Sequence, residues 1–183
     1  MAQKRIIIWV EGADDQRFFE HIIKPFFEKN YELAEVRTYA TLKKDKFSQF
    51  IKSLKAMSID YICVADINNS PCITAKKQKI SDKFKIDDMG KIFIVVKEIE
   101  GWYLAGIDAA NAKNLKIKSL PDTDELNKER FNQLVPKKIR SQQDFMIEIL
   151  KKYSIECAIN KNRSFRYFIQ KYPRLFHQFL SGS

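Results

Sequence analysis

Arg5–Phe19, RIIIWVEGADDQRFF, reads as a buried strand that stops on a glycine turn and gives way to a helix. Ile6, Ile7, Ile8, Trp9 and Val10 form a continuous apolar run, as a strand covered on both faces requires. Glu11-Gly12 ends the run, and a helix is predicted from Asp14. Strand, tight turn and helix make the first half of a βαβ unit. In such sheets the chemically active groups lie beyond the carboxyl ends of the strands. Glu11 occupies that position.

Outward from this stretch, residues 14–29 carry Phe18, Phe19, Ile22, Ile23, Phe26 and Phe27 at helical spacing, with a kink expected at Pro25. A second strand is predicted at 32–39 around Val36. A helix over 44–57 presents Phe47, Phe50, Ile51, Leu54 and Met57. Asp60–Ala65 is a third, fully apolar strand that ends on Asp66-Ile67-Asn68. Ser70-Pro71 has the chemistry of a helix start, serine as cap and proline in the first turn. A lysine-rich helix to about Phe84 should follow it. Lys91–Val96 is a fourth buried strand, ending on Lys97-Glu98-Ile99-Glu100, and a helix through Trp102, Tyr103 and Leu104 begins there. Four alternations of strand and helix predict an α/β fold with a mostly parallel four-stranded sheet flanked by helices.

Beyond Gly106 the rhythm changes. A short strand is predicted at 115–120, then helices near 124–135, 142–153, 164–171 and 173–180. The expected organisation is an α/β domain over 1–107 and a basic, mainly helical region over 108–183 packed on it.

Lys and Arg total 33 against 23 Asp and Glu, for a net charge of +10, which points to a polyanionic partner, nucleic acid before an anionic membrane. Residues 101–183 hold 15 basic and 8 acidic side chains, whereas residues 1–100 hold 18 and 15. The positive field therefore lies mostly in the second half and the acidic candidates in the first. Cys63, Cys72 and Cys157 make neither a disulfide framework nor a CxxC motif. The apolar run at Ile6–Val10 is too short for a secretory leader, and nothing approaches the length of a membrane span. A cytoplasmic protein is expected.

Three strand ends deliver oxygen ligands: Glu11, then Asp66 with Asn68, then Glu98 and Glu100. Asp15 lies one turn into the first helix, on the side facing back towards Glu11. If the strands are parallel, these groups converge on one edge, where clustered carboxylates call for a neutralising cation. An all-oxygen set suits Mg²⁺ or Mn²⁺, and carboxylate-held divalent ions serve phosphoryl transfer. Plainer roles stand beside these. Asp14 fits a first-turn acid favoured by the helix dipole, and Asn68 also suits an ordinary turn. Of Glu98 and Glu100, the sequence does not choose the ligand.

VEGADDQRFF, followed by VADIN and then VKEIEGWYLAG, resembles the Toprim domain of topoisomerases, primases and OLD-type nucleases over roughly residues 4–107. The last segment resembles small nuclease-like Toprim proteins associated with bacterial defence and mobile elements. The resemblance implies that Glu11 is a general base or metal ligand and that Asp15 and Asp66 help bind Mg²⁺. Asn68 stands where the pattern has a second aspartate. Its amide oxygen can ligate a metal but brings no charge, which weakens binding of a second ion. One-metal chemistry and binding without turnover both stay open.

Two basic tracts supply candidate phosphate contacts. Lys76, Lys77 and Lys79 fall on the helix after Asp66, while Arg163 and Arg166 stand among Phe165, Tyr167 and Phe168; Lys97 follows the fourth strand. The plainer readings are a solvated lysine face and a packed aromatic stripe. The leading expectation is a metal-dependent nuclease, or related phosphoryl-transfer enzyme, acting on DNA or RNA, with a partner ATPase as one possibility. The alternatives are a non-catalytic nucleic-acid-binding protein and a defence or toxin regulator acting through protein contact. The chain is too short for a topoisomerase with a separate strand-passage module. Oligomeric state is not legible.

Overall fold

β1 (Arg5–Val10) pairs in parallel with β2 (Leu33–Thr38) on one side and β3 (Asp60–Asp66) on the other, and β3 pairs in parallel with β4 (Ile92–Val95). The computed structural model describes residues 4–180 of the chain. The sheet order is β2-β1-β3-β4, so the expected parallel α/β architecture is present. Contacts divide the chain into two compact units, one ending at Val95 and the other starting at Val96.

In the first unit the chain leaves β1 in one direction to form β2, then crosses back past β1 to form β3. Parallel crossovers are right-handed, so reversing direction sends the helices to opposite faces. α1 (Ala13–Phe18) and α2 (Lys24–Phe27) pack on β2. α3 (Lys44–Ala56) and α4 (Ile73–Phe84) take the other face, side by side. Strand side chains alternate between faces: Ile7, Trp9, Tyr61, Cys63 and Ala65 join Phe47, Ile51, Ile80 and Phe84 in one buried cluster. Phe47 is its hub. Its ring centroid lies 4.9 Å from that of Trp9, 5.1 Å from Tyr39 and 4.5 Å from Phe84. Aromatic pairs of this kind contribute roughly 0.5–1.5 kcal/mol each beyond their buried area.

Three local expectations change. The helix over 14–29 is not a simple α-helix kinked at Pro25. Phe19–Ile23 is a π-helical turn between α1 and α2, and the Lys24 N–H donates to the Phe19 carbonyl. Pro25 has no N–H to offer the preceding turn, and the wider turn just ahead of it absorbs that defect. The lysine-rich helix starts at Ile73, not at Ser70-Pro71. Cys72 caps it, its Sγ accepting the Ala75 N–H at 3.4 Å. The strand predicted at 115–120 is absent: Leu115 is the last residue of a helix.

The second unit contains α5 (Ile99–Ala105), α6 (Ala109–Leu115), α7 (Lys128–Leu134), α8 (Gln142–Leu150), α9 (Ile155–Lys161), α10 (Arg163–Lys171) and α11 (Pro173–Leu180). α5, which the sequence reading placed at the end of the first domain, makes its main contacts with α7, α8 and α9. α6 and α9 escaped sequence reading because each is only about two turns long. Asp108 caps α6, and Ser154 caps α9. Asn127, Ser141 and Asn162 cap α7, α8 and α10 in the same way. Caps of this kind contribute about 1 kcal/mol each, which offsets the poor intrinsic stability of short helices.

Two tyrosines give the first unit an alkaline limit. Burial, with hydrogen bonding to Asp60, raises Tyr31 to about 12, and burial raises Tyr61 to about 12. The folded state thus keeps these phenols neutral after the unfolded chain, with its ordinary value near 10, has ionised. Their contribution to stability is whole below pH 10 and is lost as pH rises towards 12. Absorbance titration at the phenolate band should show a tyrosine class ionising only near pH 12, together with falling stability over the same interval. Ionisation of every tyrosine near pH 10, with the fold intact, would contradict this.

Candidate metal centre at the carboxyl edge of the sheet

Strand order reverses between β1 and β3, and the crevice beyond the carboxyl ends of such a pair is the usual ligand site of an open α/β sheet. Glu11 follows directly on β1, and Asp66 is the last residue of β3. The Asp66 N–H donates to Glu11 Oε2 at 3.3 Å, so the two acidic positions, 55 residues apart in sequence, meet at the switch point. Asp15, in the first turn of α1, is buried, and its Oδ2 accepts the Gly12 N–H at 3.1 Å. This bond folds Asp15 back over the β1–α1 turn. A methyl at position 12 would sit 3.5 Å from the same oxygen.

Tyr39 registers the combined charge of the cluster. Its hydroxyl donates to the Val64 carbonyl at 3.2 Å. Burial pushes the phenol well above its ordinary value, and Cys63, Glu11, Asp15 and Asp66 push it in the same direction. Burial likewise raises the Cys63 thiol to about 12; the Tyr39 hydrogen bond opposes this, Glu11 adds to it, and Lys76 opposes it. Glu11, Asp15 and Asp66 thus act electrostatically on one phenol.

The other predicted residues have the following places. Asp14 forms an ion pair with Arg17 at 2.6 Å. Asn68 is exposed and has a left-handed backbone, φ 48°, in a turn closed by the Ser70 N–H to the Ile67 carbonyl at 3.1 Å. Asparagine tolerates that conformation better than most side chains. Lys77 donates to the Met89 carbonyl at 3.3 Å, and Lys79 is exposed.

Glu98, Glu100, Lys97, Arg163 and Arg166 belong to the second unit. Glu98 accepts the Lys128 N–H at the start of α7. Glu100 is buried, accepts from Gln142 Nε2 at 3.3 Å, and lies 4.0 Å from Lys128 Nζ. Lys97 pairs with Glu125 at 2.9 Å. Arg163 binds Asp124 through its backbone N–H (2.7 Å) and its Nε (2.5 Å). Arg166 Nε donates to the Ile159 carbonyl at 2.7 Å, satisfying the end of α9. The two arginines predicted as phosphate contacts therefore hold structural partners.

Sequence reasoning missed the network behind them. Asn162, almost wholly buried, donates to Thr123 Oγ1 at 3.1 Å and accepts from Ser164 Oγ at 2.8 Å and from the Phe165 N–H at 3.0 Å. Trp102 Nε1 donates to Ser164 Oγ at 2.8 Å. Gly101 lets the Thr123 carbonyl approach to within 3.0 Å of where a Cβ would stand. The Glu-Ile-Glu-Gly-Trp segment thus has a packing reason for its glycine and tryptophan. The only advance signal was the Asn-x-x cap pattern at 162.

Among the described residues, no group of three or more His, Cys, Asp or Glu side chains is gathered closely enough to hold a metal ion. Magnesium does not require such a cage. It is commonly held by one or two carboxylates, with water and substrate phosphates completing its shell. The donors at the switch point, the carboxylates of Glu11 and Asp66 with Asp15 folded over the adjoining turn and no sulfur or imidazole ligand, fit a hard divalent cation in number and type.

Residues 3–67 match the family model described as "Overcoming lysogenization defect protein-like, TOPRIM domain". Toprim domains of this kind are nuclease-associated and generally bind divalent metals. No curated protein matches the chain. Among solved structures, the C-terminal region of the Xanthomonas campestris pv. campestris OLD protein is similar at 15% identity and a TM-score of 0.39, over 99% of this chain and 94% of that one. No helix among the described residues is long and apolar enough to cross a membrane.

Proposed function

We propose, with residues 3–67 an OLD-like Toprim domain as the premise, that the chain is a divalent-metal-dependent phosphodiesterase acting on nucleic acid. The observation that carries this reading is the Glu11 carboxylate seated on the Asp66 N–H at the strand-order reversal. Glu11 and Asp66 would hold the ion. Asp15 adds negative charge behind them and fixes the β1–α1 turn through Gly12. A bound divalent ion supplies charge to offset that developing on a phosphodiester, and acidity to ready water for attack. Glu11 would also take a proton at a carboxylate oxygen. Tyr39, held on Val64, lines the same neighbourhood as a neutral group.

The test is cleavage of single- and double-stranded DNA and RNA with Mg²⁺ or Mn²⁺, comparing the parent chain with Asp66→Asn. The reading expects metal-dependent cleavage by the parent only. Salt-sensitive binding without cleavage under any divalent ion would instead favour a non-catalytic nucleic-acid-binding protein.

Asn68 offers a second check. Asp tolerates the left-handed turn nearly as well, so Asn68→Asp should fold normally and add a negative ligand. Divalent-ion affinity, read by calorimetry, is expected to rise by about tenfold, in the range over which groups around a metal tune its binding. An unchanged affinity would remove residue 68 from the ion's surroundings.

A further inference from the structure

Basic side chains in the first unit divide into two populations. On the β1–β2 side Arg5 and Arg37 pair with Glu35, Arg17 with Asp14 and Lys24 with Glu20, while Lys29 lies over the Phe26 ring. On α3 and α4 the basic side chains mostly have no acidic partner. α3 carries four lysines and one aspartate, and α4 carries the same. Lys44, Lys46, Lys52, Lys79 and Lys85 are exposed and have no ion-pair partner among the described residues. The two helices lie side by side, so their charges add on one face. That face also contains an open groove of about 410 Å³ lined by Ser48, Gln49, Lys52, Lys55, Lys85 and Asp87. Lys55 is held at its side by Asp87, at 2.6 Å, and by the Lys85 carbonyl, at 3.4 Å.

We infer that this α3/α4 face docks the phosphate backbone of a nucleic-acid duplex, without reading its sequence. The inference rests on the proposed nucleic-acid substrate, but on none of the carboxylates. Lysine, serine and glutamine are groups that contact phosphates and set position, not base identity. Uncompensated lysines release counterions when phosphates replace them. A duplex is favoured over an unpaired strand because the face offers no exposed aromatic ring for base stacking. Tyr167, an exposed aromatic residue among the described residues, belongs to the second unit. α3, at 13 residues, is about 20 Å long, enough to follow several phosphates along a groove edge.

The experiment measures binding of a labelled 20-base-pair duplex in EDTA, so that no cleavage intervenes, across a salt series. The triple variant Lys52→Glu, Lys79→Glu, Lys85→Glu is compared with a charge-matched control, Lys29→Glu, Lys113→Glu, Lys118→Glu, also at exposed sites. The face variant is expected to lose about tenfold or more in affinity and to flatten the log–log salt slope by about 0.9 for each contact removed. The control should keep both. A neutral Lys→Gln version should fall between parent and face variant, and circular dichroism should be unchanged in all of them. Equal losses in face variant and control, or no loss in either, overturn the inference. So does a parent that binds the single strand as tightly as the duplex, or that binds anionic phosphatidylserine vesicles and no duplex. Cleavage activity is scored separately. A face variant that binds normally, from a parent that cuts, refutes the docking face and leaves the proposed reaction standing.

Discussion

Glu11→Gln is expected to lower metal-dependent cleavage by about 10²–10³-fold, the usual cost of removing one preorganised charged group from a reacting centre. The fold should survive. Glu11 Oε2 accepts the Asp66 N–H at 3.3 Å, and a glutamine amide oxygen can accept the same bond. The negative charge disappears from a site where Glu11, Asp15 and Asp66 all act on Tyr39. Removing one of several clustered like charges relieves repulsion, so Tm in the absence of metal should stay level or rise. Mg²⁺ should then raise the Tm of the parent by mass action and raise that of the variant far less. A variant that cleaves like the parent, or that gains the same Tm from Mg²⁺, would move the ion away from Glu11. Loss of activity with a large fall in Tm would show that Glu11 acts through the fold and not through the ion.

Gly106→Ala should produce a large stability loss in the second unit. A methyl at this position would overlap the Tyr153 ring. The ring has little freedom to retreat. Its hydroxyl donates to the Trp102 carbonyl at 2.9 Å, and its edge packs on Phe165 with centroids 6.2 Å apart. The backbone is also pinned, because the Ser154 N–H donates to the Gly106 carbonyl at 2.9 Å. Overpacking of this kind costs up to about 3 kcal/mol, which for a chain of this size lowers Tm by roughly 6–12 °C. Tyr153→Leu removes the ring edge, so the double variant should be more stable than the two single losses predict. Additive losses would show that the overlap is relaxed by backbone movement. Near-parent stability in Gly106→Ala alone would refute the close packing.

Three apolar runs and the acids that follow them were readable in the sequence because a doubly covered strand must be continuously apolar, and its end must return to polar residues. Runs beginning near Ile6, Asp60 and Lys91 each carried that signature, and each is a strand. Asp15 was legible for a related reason: one helical turn brings position 15 back over the residue at the turn. Elsewhere local chemistry misled. Ser70-Pro71 had the right composition for a cap, but the turn at Asn68 postponed the helix until Cys72. Arg163 and Arg166 had the charge of phosphate contacts. Each also holds a structural partner, Arg163 the buried Asp124 and Arg166 the end of α9.

From the sequence alone came the positions of the four strands, their parallel pairing and the acids that stand at the ends of β1 and β3, because hydrophobic period and strand-end polarity are local properties; the further strand read at 115–120 did not form. The order β2-β1-β3-β4 was not local. It depends on which way each crossover turns, and it alone brings Glu11 beside Asp66 across 55 residues of chain. The same holds for charge. Composition reports how many cations a chain carries, but only packing reveals which of them already have a partner and which, along α3 and α4, face solvent unmatched.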